Sequence, residues 1–190
     1  MNTIEKIKNL GIFILIVTAV VSCENTNRGT DLSVEDKEVE ALLQKMTLEE
    51  KAGQMTNISL MALAKGDFWM RRDTVELDTA KMNELLLKKH VGSVQNLGTY
   101  PFKPAEWRKN IAQIQNYILE KSRLKIPVIY GIDAVHGANY SAGSTLFPQQ
   151  LALAATWNPA LAETTVAITS HEIKASGIPW NYTPLLAVST

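Results

Sequence analysis

Ile126-Pro-Val-Ile-Tyr-Gly-Ile-Asp-Ala-Val-His-Gly137 decides the fold. Ile126 to Tyr130 is a short apolar run with β-branched residues that follows a helical pattern, which is how a buried parallel strand reads. Gly131 is expected to end the wall of side chains. Asp133 and His136 come immediately after, on a loop that carries Gly137 and Gly143 and continues through Phe147-Pro148 to Trp157. In α/β proteins the groups just past the C-terminal end of a strand face the ligand. A carboxylate there can accept hydrogen bonds from substrate hydroxyls or act as a base.

Strand and helix patterns alternate on both sides of this stretch. On the N-terminal side, Trp107, Ile111, Ile114 and Ile118 recur at helical spacing, and Pro104 suits the first turn of that helix. Val91 to Leu97 reads as an earlier strand, and Pro101 punctuates the link. Before it, Asp78 is placed to cap a helix with Met82, Leu85 and Leu86 on its apolar face, ending in Lys88, Lys89 and His90, where cations are favoured. Leu60 to Thr74 reads as an irregular connection, and Gly53 to Ile58 as a first strand. Thr47 and Glu50 have capping-box spacing. Val39, Leu42, Leu43 and Met46 mark one more helical face, with the mature domain starting near Asp36.

On the C-terminal side, Asn158 and Pro159 form an N-cap and N1 pair. The helix they start should stop at Ser176 and Gly177. Ile178 to Leu186 gives another strand, with Pro179 at its start. This alternation predicts a parallel sheet covered by helices, either an open doubly wound sheet or a (β/α) barrel, and periodicity does not choose between them. Neither GxGxxG after a strand nor GxxxxGK[ST] occurs, so a nucleotide site has no support.

Composition narrows the function. The chain has 190 residues, is 46% hydrophobic, and balances 19 basic against 19 acidic residues. It can bury a sizeable core, and it offers no electrostatic case for a nucleic-acid partner. Cys23 is the single cysteine, and His90, His136 and His171 lack HExxH spacing, so neither a disulfide nor a zinc site is expected. A helix-end role suits His90, a helix-surface or packing role His171, and a loop-holding role His136. Trp157, Trp180 and Tyr182 are expected in the core rather than on a ligand.

The first residues read as a targeting segment. Lys6 and Lys8 precede an apolar run from Leu10 to Val21, short for a membrane span of ~20 residues and suited to a signal peptide. Val20-Val21-Ser22-Cys23 resembles the lipobox of bacterial lipoproteins, which implies lipidation of Cys23 and an anchor in the cell-envelope membrane. The alternative is a plain signal peptide with an incidental cysteine. The expected organisation is a lipoprotein signal peptide over 1–22, a flexible tether over 23–35 and a partial barrel domain over 36–190.

Several motifs together resemble glycoside hydrolase family 3, the β-glucosidase family. Met46-Thr-Leu-Glu-Glu-Lys-Ala-Gly-Gln-Met55 is similar to its opening motif, and Ile126 to Tyr140 to its substrate-site strand and loop. Thr145-Leu-Phe-Pro-Gln149, Ala154-Ala-Thr-Trp-Asn-Pro159 and Gly177-Ile-Pro-Trp-Asn-Tyr-Thr-Pro184 follow in family order. The resemblance implies the N-terminal half of a (β/α)8, TIM-type barrel, truncated within the barrel. It implies an exo-acting retaining β-glycoside hydrolase acting on a β-linked oligosaccharide or glycoside, with Asp133 as the sugar-binding carboxylate and no metal or organic cofactor. The Ala-Val-His-Gly wording favours the β-glucosidase branch over the N-acetylglucosaminidase branch.

Retaining glycosidases use two carboxyl groups about 5 Å apart. The resemblance implies that both the nucleophile and the acid/base lie beyond Thr190, as do the Arg-Trp-Gly-Arg and Lys-His substrate motifs. Val188-Ser189-Thr190 departs from the Arg-Asp with which many relatives continue. The 190-residue chain is therefore expected to be inactive alone. A second function class is a non-catalytic sugar- or partner-binding lipoprotein.

Overall fold

The computed structural model describes residues 33–67, 74–96 and 101–185. The apolar run Leu10 to Val21, Cys23, Leu97 and Leu186 lie outside them.

Helix α1 (Val34–Lys45) begins two residues ahead of Asp36 and so takes in the end of the expected tether. Its start is fixed by an unforeseen cap: Asp36 N donates to Ser33 Oγ (3.1 Å), and Ser33 N donates to Asp36 Oδ2 (3.1 Å). None of its residues is buried, and Val39 is 56% exposed. Helix α2 (Leu48–Gln54) carries the expected capping box between Thr47 and Glu50. It extends through Gly53, which displaces the first strand to β1 (Asn57–Ser59). Close packing explains this glycine: a Cβ at Gly53 would lie 2.3 Å from the Lys89 carbonyl oxygen.

A 3-10 turn over Leu60–Leu63 follows β1. It is not merely a connection, since Leu60, Met61, Leu63 and Ala64 are all buried. Asp78 caps α3 (Thr79–Met82) by accepting from the Ala80 and Lys81 amides, and a π-helical stretch, Asn83–Lys88, continues it. Strand β2 (Ser93–Gln95) leads to α4 (Pro104–Lys121), whose Trp107, Ile111, Ile114 and Ile118 are buried as the spacing predicts.

The central strand is β3 (Ile129–Ile132), three residues later than Ile126. Pro127 has no N–H to give a ladder. Both backbone groups of Val128 are taken by α4: Gln115 Nε2 donates to its carbonyl (2.5 Å), and its N–H donates to Gln115 Oε1 (3.1 Å). Gly131 consequently lies inside the strand rather than ending it. After the loop, a short helix α5 (Gln150–Ala154), unforeseen from sequence, precedes α6 (Pro159–Ala175). Helix α6 has its expected Asn158 cap, Pro159 at N1 and Gly177 in the left-handed region at φ 79°. Strand β4 is confined to Trp180–Asn181.

The four strands are all parallel, and each pairs with its successor in the chain: β1-β2-β3-β4. A doubly wound sheet would reverse this order at a switch point. The uniform advance is that of a barrel wall, so the four strands form an arc of a (β/α) barrel. Val94, Tyr130 and Ile132 point from one face into a core shared with Trp107, Ile114, Ile118 and Ile173. The opposite face carries Asn57, Gln95, Gly131 and Trp180, which follows from the register and the two-residue period of strands. On that face Ile129 is 53% and Trp180 43% exposed. Trp180 is thus no core residue among the described ones, and neither is Trp157, which is 92% exposed.

Candidate functional site

The C-terminal ends of β2, β3 and β4 bring Asn96, Asp133, Asn181 and Tyr182 together. Asp133 is the first residue past β3 and is half-buried. Asn96 Nδ2 donates to its Oδ2 (2.7 Å), and the Asp133 amide donates to Asn96 Oδ1 (2.9 Å). The next amide, that of Ala134, donates to Asn181 Oδ1 (3.2 Å). The backbone that presents Asp133 is therefore clamped from both neighbouring strands. No described residue donates to Asp133 Oδ1. An ionised carboxylate has about four lone-pair sites, so the group retains acceptor capacity for hydroxyl groups.

Two phenols adjoin this charge. Burial first, and then the negative charge of Asp133, raise Tyr140 above the ordinary tyrosine range. Tyr182 is also raised, by burial and by Asp133, against the opposing hydrogen bond from Asn57. Both hydroxyls remain protonated at neutral pH and able to donate. Tyr182 reaches across the sheet's open face: Asn57 Nδ2 donates to its Oη (3.1 Å) and to Gln95 Oε1 (3.0 Å). Gly131 makes that crossing possible, because a Cβ there would lie 2.2 Å from Tyr182 Oη.

The loop after β3 is tied down at several points. His136 Nδ1 lies 3.1 Å from the Phe147 carbonyl, and the Phe147 amide donates to the His136 carbonyl (2.8 Å). Gly137 adopts φ 110°, and a Cβ there would lie 2.1 Å from the Thr145 carbonyl oxygen. Thr145 donates its amide and hydroxyl to the Glu172 carboxylate on α6 (2.9 to 3.1 Å). Trp107 Nε1 donates to the Tyr140 carbonyl (3.0 Å). Ser141 and Ser176 pair through buried hydroxyls 2.8 Å apart. His136 is therefore engaged within its own loop. The other two histidines lie elsewhere: His171 is exposed on α6, and His90 (φ 57°) accepts at its carbonyl from Gln54 Nε2 (3.2 Å).

Of two cavities, one lies away from Asp133 and the other reaches its neighbours Ala134 and Asn181. One of about 370 Å³ is lined by Glu50, Gln54, His90, Val91, Arg123 and Ile126, all ahead of the strands they precede, so it sits at their N-terminal ends. In barrels that end serves stability rather than chemistry. The Glu50–Arg123 pair there fits this role. Arg123 Nε donates to Glu50 Oε1 (3.0 Å), Nη2 donates to Oε2, and Nη2 also reaches the Lys45 carbonyl (2.8 Å). The guanidinium first, and the Thr47 amide second, hold the Glu50 carboxyl below its ordinary value. The other cavity, about 240 Å³, is mostly apolar and is walled by Ala134, Phe147, Leu153, Val166 and Pro184. A hydroxyl-rich ligand fits the apolar lining of this second cavity less well than the polar strand ends at Asp133.

Asn96 and Asn181 are the site residues that sequence reasoning missed. The one signal each carried was an asparagine at the end of an apolar strand pattern, which reads equally as an ordinary turn residue.

Comparison with known proteins gives a consistent result. Residues 47–190 match the family described as Glycosyl hydrolase family 3 N terminal domain. A lysosomal beta glucosidase of Dictyostelium discoideum is 34% identical, over 83% of this chain and 19% of its own length. A periplasmic beta-glucosidase of Salmonella typhimurium is 28% identical, over 95% of this chain and 20% of its own. Among solved structures, the exo-1,3/1,4-beta-glucanase ExoP of a Pseudoalteromonas species superposes with a TM-score of 0.62 at 26% identity, covering 80% of this chain and 18% of that one. The chain spans about a fifth of the length of these curated relatives.

Proposed function

Because the chain belongs to glycosyl hydrolase family 3 through its N-terminal domain, we propose that it is the leading part of an exo-acting, retaining β-glucosidase-type hydrolase. Its role is to hold the terminal, non-reducing sugar of a β-linked substrate. The observation that carries this reading is Asp133: a carboxylate at the C-terminal end of a barrel strand, braced by Asn96 and with one oxygen unclaimed by any described residue. The nucleophile and the acid/base belong, in this reading, to residues after Thr190. Asp133 and its neighbours bind and orient, and the bond-breaking carboxylates act on the sugar so placed.

The test is to extend the coding sequence past residue 190 and assay both products on an aryl β-glucoside. The extended protein should hydrolyse it, and the 190-residue chain should not. Half a barrel leaves open strand edges besides lacking the catalytic pair. A stop codon directly after Thr190 would overturn the enzymatic reading in favour of a sugar-binding lipoprotein, as would an inactive extended protein.

The short apolar run after Lys6 and Lys8, ending in Val-Val-Ser-Cys, supports a lipid anchor on Cys23 in a bacterial cell envelope. A labelled fatty acid should be incorporated into the wild-type protein and not into Cys23→Ala, and the variant should leave the membrane fraction or remain unprocessed. Equal labelling of both would contradict the anchor.

A further inference from the structure

We infer that Asn96 is a positioning residue of the sugar site, acting through Asp133. This rests on the reading of Asp133 given above.

The residue is held twice by β3 before its side chain is considered. Its amide donates to the Gly131 carbonyl (3.0 Å), and its carbonyl accepts from the buried Tyr130 hydroxyl (2.8 Å). With φ at 47° it occupies the left-handed region, which asparagine tolerates better than most residues. That turn aims the side chain back at β3, where it meets Asp133 with a donor and an acceptor together.

The chemistry at Asp133 demands this pairing. The Asp133 amide needs an acceptor, and its carboxylate needs a donor. A side-chain amide is the short group that offers both at a fixed spacing. The reversed amide would set Oδ1 against the carboxylate and Nδ2 against an N–H, so the orientation is fixed by the partners. An aspartate at 96 would bring a second negative charge against Asp133, and an alanine would leave the carboxylate free to rotate. The bond to Oδ2 thus selects one orientation of the carboxylate before any ligand arrives, and it leaves Oδ1 for the sugar. A site residue locked in this way binds without an ordering cost at the moment of binding.

The experiment is a double-mutant cycle in the full-length protein, assayed on an aryl β-glucoside. It uses wild type, Asn96→Gly, Asp133→Ala and the double variant. Glycine is chosen because it adopts φ 47° without strain. Asn96→Gly should lower kcat/KM by roughly tenfold or more, the size of one hydrogen bond to a charged group. In the Asp133→Ala background the same change should cost less than about twofold, since the group it positions is gone. Equal losses in both backgrounds, or no loss in either, would overturn the inference. A crystal structure of Asn96→Gly decides it separately: a displaced or multiply placed Asp133 carboxylate supports it, and an unchanged single position overturns it. A wild-type protein inactive on β-glycosides would instead refute the enzymatic reading, with the crystal structure still deciding the role of Asn96.

Discussion

Asp133→Ala in the full-length enzyme should lower kcat/KM on β-glucosides by on the order of 10² or more. Each hydrogen bond from a sugar hydroxyl to a charged acceptor contributes roughly 1.5–3 kcal/mol, and about 1.4 kcal/mol is a factor of ten. A carboxylate braced on Oδ2 by Asn96, with Oδ1 turned to no described residue, can accept at least two such bonds. Contacts remote from the reacting carbon also orient it, so the loss should appear in kcat as well as KM. The fold should survive. The Asn96 side chain still accepts from the amide of residue 133, the Ala134 amide keeps Asn181, and the unpaired Asn96 Nδ2 sits at a half-buried position that water can reach. A well-folded Asp133→Ala enzyme with near wild-type kcat/KM would reduce Asp133 to a turn residue.

The largest expected loss of stability is at Trp107. Its side chain is fully buried on α4. It meets Phe102 and Tyr130 edge-on at centroid distances of 5.3 and 5.7 Å. Truncating so large a core group to alanine costs about 3–5 kcal/mol through lost burial and the cavity left behind. The indole N–H is the smaller part of this. The Tyr140 carbonyl it serves also accepts from the Phe102 amide (3.1 Å) and is not orphaned when the indole goes. Trp107→Phe should therefore cost clearly less than Trp107→Ala. Native-state hydrogen exchange at the β2 and β3 amides of the full-length protein measures both. Equal protection in Trp107→Ala and wild type would mean that the β3-side core does not depend on this ring. Because its indole N–H holds the Tyr140 carbonyl, Trp107→Ala should also loosen the loop that follows Asp133.

How much was legible in the sequence follows from how far apart the interacting groups are. The Thr47–Glu50 box, the Asp78 cap and the Asn158-Pro159 start are each made within four residues, so composition and spacing reveal them. The buried stripe of α4 is equally local, because helical period converts directly into a face. Strand limits are not local. Ile126 to Tyr130 has the composition of a strand, yet the ladder starts at Ile129 because Gln115, thirteen residues before Val128, takes that residue's backbone groups. Gly131 reads as a strand terminator and is in fact the gap through which Tyr182 passes. Trp157 and Trp180 have core composition and lie exposed, since the sheet face that would hide Trp180 has no cover among the described residues.

Local sequence is enough to show that helices and strands alternate, which residues cap α2, α3 and α6, which family the motifs belong to, and that an acid follows the central strand. Those properties depend on neighbours along the chain. The tertiary structure alone decided two things. The first is the strand order itself, an unbroken advance as in a barrel wall, which periodicity left open and only the family resemblance implied. The second is that Asn96, 37 residues before Asp133, is the residue that holds it. Each depends on hydrogen bonds between segments far apart in the chain, and no local pattern encodes which strand end a side-chain amide will face.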